Sequence, residues 1–291
     1  MEIKNSALVL EGGAMRCLFT AGVLDVLMEH ELWFPYVIGT SAGSLSGANY
    51  IAKQVGRTAR INIRFAHDKR YYGVTNLVRE HSLFNFDYLF GTIGMRLEPM
   101  DLETFYANPT RFTAVSTNCA TGEAFYHEKG KCENIFQGIR ASSSIPVLAP
   151  MVETDGAFCL DGGVADPIPY KRPMAEGYRP VLVLTRDQGF RQKEQISMPR
   201  RTLFQRSYAA YPEFSERLLG MPSQYNRIQQ EIDALEAAGE VFIIRPQKPV
   251  EVSLAERDTE KLSALYEEGR AVCLASLDAM EQYFKSGEKR I

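Results

Sequence analysis

The chain has 291 residues, 45% hydrophobic and 24% charged, with 22 glycines and 14 prolines; these are globular proportions that exclude long-range disorder and a fibrous repeat. Lys and Arg number 33 against 36 Asp and Glu, a formal net charge of -3, so no global attraction to nucleic acid or anionic lipid is expected and no nucleic-acid partner is predicted.

The opening segment MEIKNSALVLEGG is interrupted at Glu11 before a signal core develops, and no apolar run approaches the roughly 18 residues of a spanning helix. A cytoplasmic chain without a transmembrane segment is expected. Ala7–Leu10, four apolar residues ending at Glu11-Gly12-Gly13, reads as a buried strand broken by a glycine turn. Leu18, Ala21, Val23, Leu24 and Leu27 fall near helical spacing and predict a helix over Cys17–His30. Tyr36–Ile38 is a second short strand, running into Gly39-Thr40-Ser41-Ala42-Gly43 and a helical stretch to Lys53. This βαβα opening implies a mainly parallel central sheet and an α/β class.

Residues 56–110 read as helices rich in Tyr and Phe with a break at Gly91–Gly94. The sheet resumes at Arg111–Thr117, and Glu123–Tyr126 can pair with it across the Ala120-Thr121-Gly122 turn. Glu133–Ser142 predicts a helix stopped near Ile145-Pro146, because the residue before proline disfavours helical geometry. Val181–Thr185 and Val241–Ile244 are buried-type strands; 202–238 is helical by composition. A long amphipathic helix over 255–285 places Leu262, Leu265, Val272, Leu274, Leu277 and Met280 inward. The expectation is one domain over 1–291, with a motif-bearing core at about 6–186 and a C-terminal extension at about 187–291.

Gly39-x-Ser41-x-Gly43 between a short apolar strand and a helix is the context of a nucleophile elbow. The glycines permit the sharp turn that lifts the serine hydroxyl to the helix N-terminus, where the macrodipole favours a developing alkoxide. Such a serine needs a base. The histidines are His30, His67, His81 and His127, so a triad in the order Ser, acid, His could use only an early acid with His81 or His127, for instance Asp101 with His127. The other candidate is Asp161 in Cys159-Leu160-Asp161-Gly162-Gly163-Val164, either a turn aspartate or a strand-end carboxylate desolvated enough to act as a base. Asp155-Gly156-Ala157 reads as a hairpin turn. Five scattered cysteines (Cys17, Cys119, Cys132, Cys159, Cys273) without C-x-x-C spacing predict neither disulfides nor a zinc site, no acidic cluster has calcium-loop spacing, and the glycine loop lacks G-x-G-x-x-G. No metal or cofactor is expected.

Taken together, the loop Gly12-Gly13-Ala14-Met15-Arg16-Cys17, the serine motif Gly39-Thr40-Ser41-Ala42-Gly43 and the aspartate motif Asp161-Gly162-Gly163 resemble the patatin-like phospholipase family, in its order. Val115–Gly122 and Ala141-Ser142-Ser143-Ser144-Ile145-Pro146 resemble its intervening segments, and the likeness spans roughly 6–186. The resemblance implies a three-layer α/β/α patatin-like fold and a lipid acyl hydrolase with Ser41 and Asp161 as a catalytic dyad. It places an oxyanion hole at Gly12, Gly13 and Ala14, and Arg16 as loop support. Ala14 and Cys17 stand where the family usually has glycine; alanine keeps the amide donor but resists positive φ.

Tyr71, Tyr72, Phe84, Phe86, Tyr88 and Phe90, interleaved with Lys69, Arg70 and Arg79, read either as core-facing aromatics or as a lid with transient membrane-surface contact. The function expected is hydrolysis of a lipid or other acyl ester. The rival is a non-catalytic acyl-lipid binding or regulatory protein on the same fold.

Overall fold

The buried segment Ser6–Leu10 (β1) forms the middle of a parallel sheet covered on both faces, which is why it carries no polar alternation. The computed structural model describes residues 3–79 and 81–288. In it β1 pairs in parallel with Tyr36–Thr40 (β2) on one side and Arg179–Val183 (β7) on the other. Beyond β2 lies Arg111–Asn118 (β3), also parallel, and beyond β7 the short edge strand Phe242–Ile244 (β8). Ala124–Glu128 (β4) and the hairpin Val152–Thr154 (β5) and Ala157–Asp161 (β6) complete the sheet by antiparallel pairing at the β3 side. Its order is β5-β6-β3-β2-β1-β7-β8, with β4 on β3.

Alternate strand residues face opposite layers. Leu8, Leu10, Val37, Phe112 and Val183 join the core built with Cys17–Glu29 (α1), Ala42–Ile51 (α2) and Thr259–Glu288 (α10). Ala7, Val9, Ile38 and Leu182 face Tyr225, Ile228 and Ile232 of Pro212–Ala237 (α9). The result is a three-layer α/β/α fold with a mainly parallel sheet. Arg57–Arg64 (α3), Val74–Arg79 (α4), Leu102–Ala107 (α5), Ile135–Ser142 (α6), Lys171–Ala175 (α7) and Met198–Ser207 (α8) fill out the layers. No helix among the described residues is long and apolar enough to cross a membrane.

Three expectations change. Gly91–Gly94 is no break: Tyr88–Leu97 is a continuous wide helix with π-type winding. The helical span expected at 202–238 is two helices, α8 and α9, parted at Tyr208–Tyr211, with Pro212 opening the second. Leu274 does not point inward but is 47% exposed; Cys273, one residue earlier, occupies the buried position of α10.

Candidate active site

β2 delivers Ser41 at the centre of the sheet's carboxyl edge. Its backbone, φ 55° and ψ -128°, is a strained conformation held between Thr40 and the first turn of α2. The turn is this sharp because both flanking glycines lie against backbone. A Cβ on Gly43 would meet the Leu10 carbonyl oxygen at 2.5 Å, and one on Gly39 would meet the Gly43 carbonyl carbon at 2.7 Å. The Ser41 amide donates to Ser142 Oγ at 2.8 Å, and Ser44 Oγ donates to the Ser41 carbonyl at 2.6 Å.

The sheet register explains how a residue 120 positions later reaches this serine. β3 outlasts β2: its edge pairs with β2 as far as Val115, opposite Thr40, and from Ser116 the same edge is taken by β6, with Ser116 opposite Asp161. Ser41 and Asp161 therefore meet where one partner strand gives way to the other. Ser41 Oγ donates to Asp161 Oδ2 at 2.7 Å, while Asp161 Oδ1 accepts from the Gly163 amide at 2.7 Å. The Asp161 amide donates to the Ser144 carbonyl and its carbonyl accepts from Thr117 Oγ1. Asp161 is buried, and desolvation pushes its carboxyl up to about 6 against the opposing pull of the hydrogen bonds from Ser41 Oγ and the Gly163 amide.

The glycine loop lies against the serine. Ala14 adopts φ 48°, so the alanine accepts the left-handed conformation that it resists. The Gly12 amide points to the Pro167 carbonyl at 3.5 Å; the Gly13 and Ala14 amides have no acceptor among the described residues. Beneath the loop the Glu11 carboxylate, buried and pushed up by desolvation, accepts from the Thr185 amide, Thr185 Oγ1 and Tyr225 OH. Arg16 is packed near Glu11 and Arg186 with Nε buried and unpartnered, and burial together with Arg186 lowers its pKa.

A cavity of about 300 Å³ opens on Ser41 and Ala14. Tyr71, Phe84, Phe86 and Phe90 line it, while Tyr72 is fully buried in the core, so the aromatic segment serves both core and cavity. Cys17 also lines it, buried, with its thiol pushed up to about 12 by desolvation; it is a packing residue and not a thiolate. All five cysteines are free, and no group of metal-ligating side chains occurs among the described residues.

A family model described as patatin-like phospholipase matches residues 8–173, more than half of the chain. The chain belongs to the patatin-like phospholipase family. A second family model, a domain of unknown function, matches residues 211–285. The uncharacterized protein YjjU of Escherichia coli (strain K12) is 30% identical over 190 residues, covering 61% of this chain and 51% of that protein. Lysophospholipase nte1 of Aspergillus niger is 30% identical over 174 residues, covering 56% of this chain but 10% of that protein. The chain thus spans about half the length of the first relative and a tenth of the second. The crystal structure of VipD from Legionella pneumophila shares the fold, with TM-score 0.51 at 12% identity over 94% of this chain and 67% of that one.

The patatin-like chain also contains, apart from Ser41 and Asp161, a serine–histidine–carboxylate array that sequence reasoning missed. His127 Nε2 is 2.8 Å from Ser116 Oγ, and its Nδ1 is 2.7 Å from Asp155 Oδ2. Asp155 forms the expected turn between β5 and β6, but its carboxylate also reaches back to His127 and to the Glu133 amide. Asp101 is not the partner of His127; it caps α5 by accepting from the Thr104 amide. Ser116 and His127 are fully buried, leaving no room for a substrate carbonyl, and burial lowers the His127 pKa against the opposing pull of Asp155, which disfavours the imidazolium. The array is a structural tie between β3, β4 and the β5–β6 turn. His127→Ala is expected to destabilise the fold by about 2–4 kcal/mol, through a cavity and two unpaired polar groups, while each folded molecule keeps most of its activity. Chemical denaturation combined with turnover normalised to the folded fraction measures both.

Proposed function

We propose that this chain is a serine esterase that cleaves carboxylic esters of acyl lipids, phospholipase A-like in chemistry, with Ser41 as nucleophile and Asp161 as its base. The observation that carries the reading is the 2.7 Å hydrogen bond from Ser41 Oγ to a desolvated carboxylate at an apolar cavity. Desolvation raises the basicity of Asp161 toward neutrality while leaving it ionised at pH 7, the compromise general-base catalysis favours. Ser41 Oγ attacks the ester carbonyl as its proton passes to Asp161. The oxyanion is met by the uncommitted amides of Gly13 and Ala14, with Gly12 bringing the loop against the serine and Arg16 supporting it. The tetrahedral intermediate collapses to an acyl-enzyme as the alcohol departs with the proton. A water activated by Asp161 then releases the fatty acid and restores Ser41.

Support for an acyl-lipid substrate comes from the family, from relatives named lysophospholipases, and from the apolar cavity. Met95 and Tyr106 line that cavity and are also exposed, so its mouth offers apolar side chains to a lipid surface in transient contact. Free cysteines suit a cytoplasmic setting, and the shared sheet and helices suit one catalytic unit.

Incubation with a 1-acyl lysophospholipid and with a short p-nitrophenyl ester tests the reading. Release of fatty acid and p-nitrophenolate is expected; release no faster than from Ser41→Ala protein contradicts it. Because Asp161 must be ionised, kcat/KM is expected to rise about tenfold per pH unit below its pKa of about 6 and level off above. A flat profile between pH 4.5 and 7 in folded protein rules out Asp161 as the base.

A further inference from the structure

The cavity is not lined by hydrocarbon alone. Ser41, Leu45 and Asn49 recur at helical spacing on the cavity side of α2, so the cavity runs along one face of that helix. Asn49 lies eight residues beyond Ser41, about 12 Å along the axis at 1.5 Å per residue, roughly the reach of an extended acyl chain of eight to ten carbons. There Asn49, Arg57, Thr58 and Asn62 line the cavity, each more than nine-tenths buried. Arg57 donates from Nη1 to Asn49 Oδ1 and from Nε and Nη2 to the Glu98 carbonyl; three of its five N–H groups are thereby committed.

No carboxylate lies within ion-pair distance of this guanidinium among the described residues. The Glu98 side chain turns outward to Arg60 and Arg64, at 3.2 and 3.3 Å. Burial lowers the Arg57 pKa to about 10, leaving it charged at neutral pH. Each side-chain acceptor around it already takes one hydrogen bond: Asn49 Oδ1 from Arg57, Thr58 Oγ1 from Asn49 Nδ2, and Asn62 Oδ1 from Tyr71 OH at 3.0 Å. Arg57, Asn49 and Asn62 each keep N–H groups beyond those bonds, Asn62 Nδ2 giving one to the Thr58 carbonyl. A neutral acyl chain reaching these residues would strip water from a cation and offer no acceptor to its remaining N–H groups.

We propose that the Arg57–Asn49–Asn62 end of the cavity is an anion subsite, and that the favoured substrates are esters whose acyl chain ends in a carboxylate, about nine carbons from the ester. The proposal rests on the reading that Ser41 attacks the ester at the other end. A single charged, hydrogen-bonded pair in a cavity discriminates by about 10- to 100-fold.

The test compares p-nitrophenyl nonanoate, mono-p-nitrophenyl nonanedioate and the latter's methyl ester, below their aggregation concentrations. For the wild-type chain, kcat/KM for the free carboxylate should exceed that for the other two by about 10- to 100-fold, chiefly through KM. Arg57→Gln and Arg57→Met should bring the ratio near one, whereas Arg57→Lys should retain part of it. A binding arm needs no chemistry: Ser41→Ala protein should bind monomethyl nonanedioate more tightly than methyl nonanoate by a similar factor, and lose the difference when Arg57→Gln is added. Equal turnover and equal binding overturn the subsite while the esterase reading stands. Arg57-dependent binding without turnover of any ester keeps the subsite and overturns the esterase reading. If Arg57→Gln instead alters the preference for a lysophospholipid over a monoacylglycerol of the same chain, the anion is a headgroup phosphate and the proposal fails.

Discussion

Asp161→Asn is expected to lower ester turnover by about 10² to 10⁴ at neutral pH and, in the same molecule, to stabilise the fold. Asparagine can still accept from the Gly163 amide and place its amide group toward Ser41 Oγ, so shape and pairing are kept while the proton acceptor is lost. The stability gain follows from desolvation. In the folded chain the carboxyl titrates at about 6, above the roughly 3.9 of an unfolded aspartate. The folded state thus binds its proton more tightly than the unfolded one, and the associated stability is present below pH 4 and lost as pH rises to 6. At pH 7 the ionised group therefore costs about 3 kcal/mol, which the neutral amide avoids. Denaturant unfolding at pH 7 and pH 4 measures this: the variant should be more stable than wild type at pH 7, and the gap should close at pH 4. A variant equally impaired in activity but destabilised at pH 7 would assign Asp161 a structural role.

Ser41→Ala is expected to reduce turnover by about 10⁴ or more, leaving only what the glycine loop and the cavity contribute. The hydroxyl is small and the elbow geometry is set by Gly39, Gly43 and the Leu10 carbonyl, so stability should change by no more than about 1 kcal/mol. A short p-nitrophenyl ester and circular dichroism report both quantities. Wild-type turnover by the purified variant would remove Ser41 from the reaction.

Local pattern carried the sequence furthest where structure is local. β1, α1, β2 and α2 follow from a buried strand, a glycine turn and helical spacing, and α6 ends at Ser142, just before Ile145-Pro146. The candidate site is different in kind. Nothing in the periodicity of β6 says that Asp161 lies beside Ser41; that depends on β3 being three residues longer than its pairing with β2, so that β6 takes over the same edge. The family resemblance linked the two motifs, and the sheet register shows how. Residues 56–110 stayed opaque because Tyr88–Leu97 winds as a π-type helix, whose spacing matches neither the helical nor the strand template. The link of His127 to Asp155 was hidden because it joins a strand to a distant turn, with the acid expected to do no more than shape that turn. Arg57 gave no sign either: a cation on a short helix reads as solvated until the cavity places it indoors. For Ser142 a signal existed, in the run Ser142-Ser143-Ser144, but which hydroxyl meets the Ser41 amide is decided only by α6 packing on the sheet end.

Covalent capture by a fluorophosphonate with peptide mapping of the adduct tests whether Ser41 is the nucleophile and Asp161 its base. One adduct is expected, on Ser41, forming rapidly in the wild-type chain at pH 7, slowed by orders of magnitude in Asp161→Asn, unaffected by His127→Ala in folded protein, and absent in Ser41→Ala. Adduct on another serine, or a folded wild-type chain that is never labelled, would contradict it and favour a protein that binds acyl lipids without cleaving them.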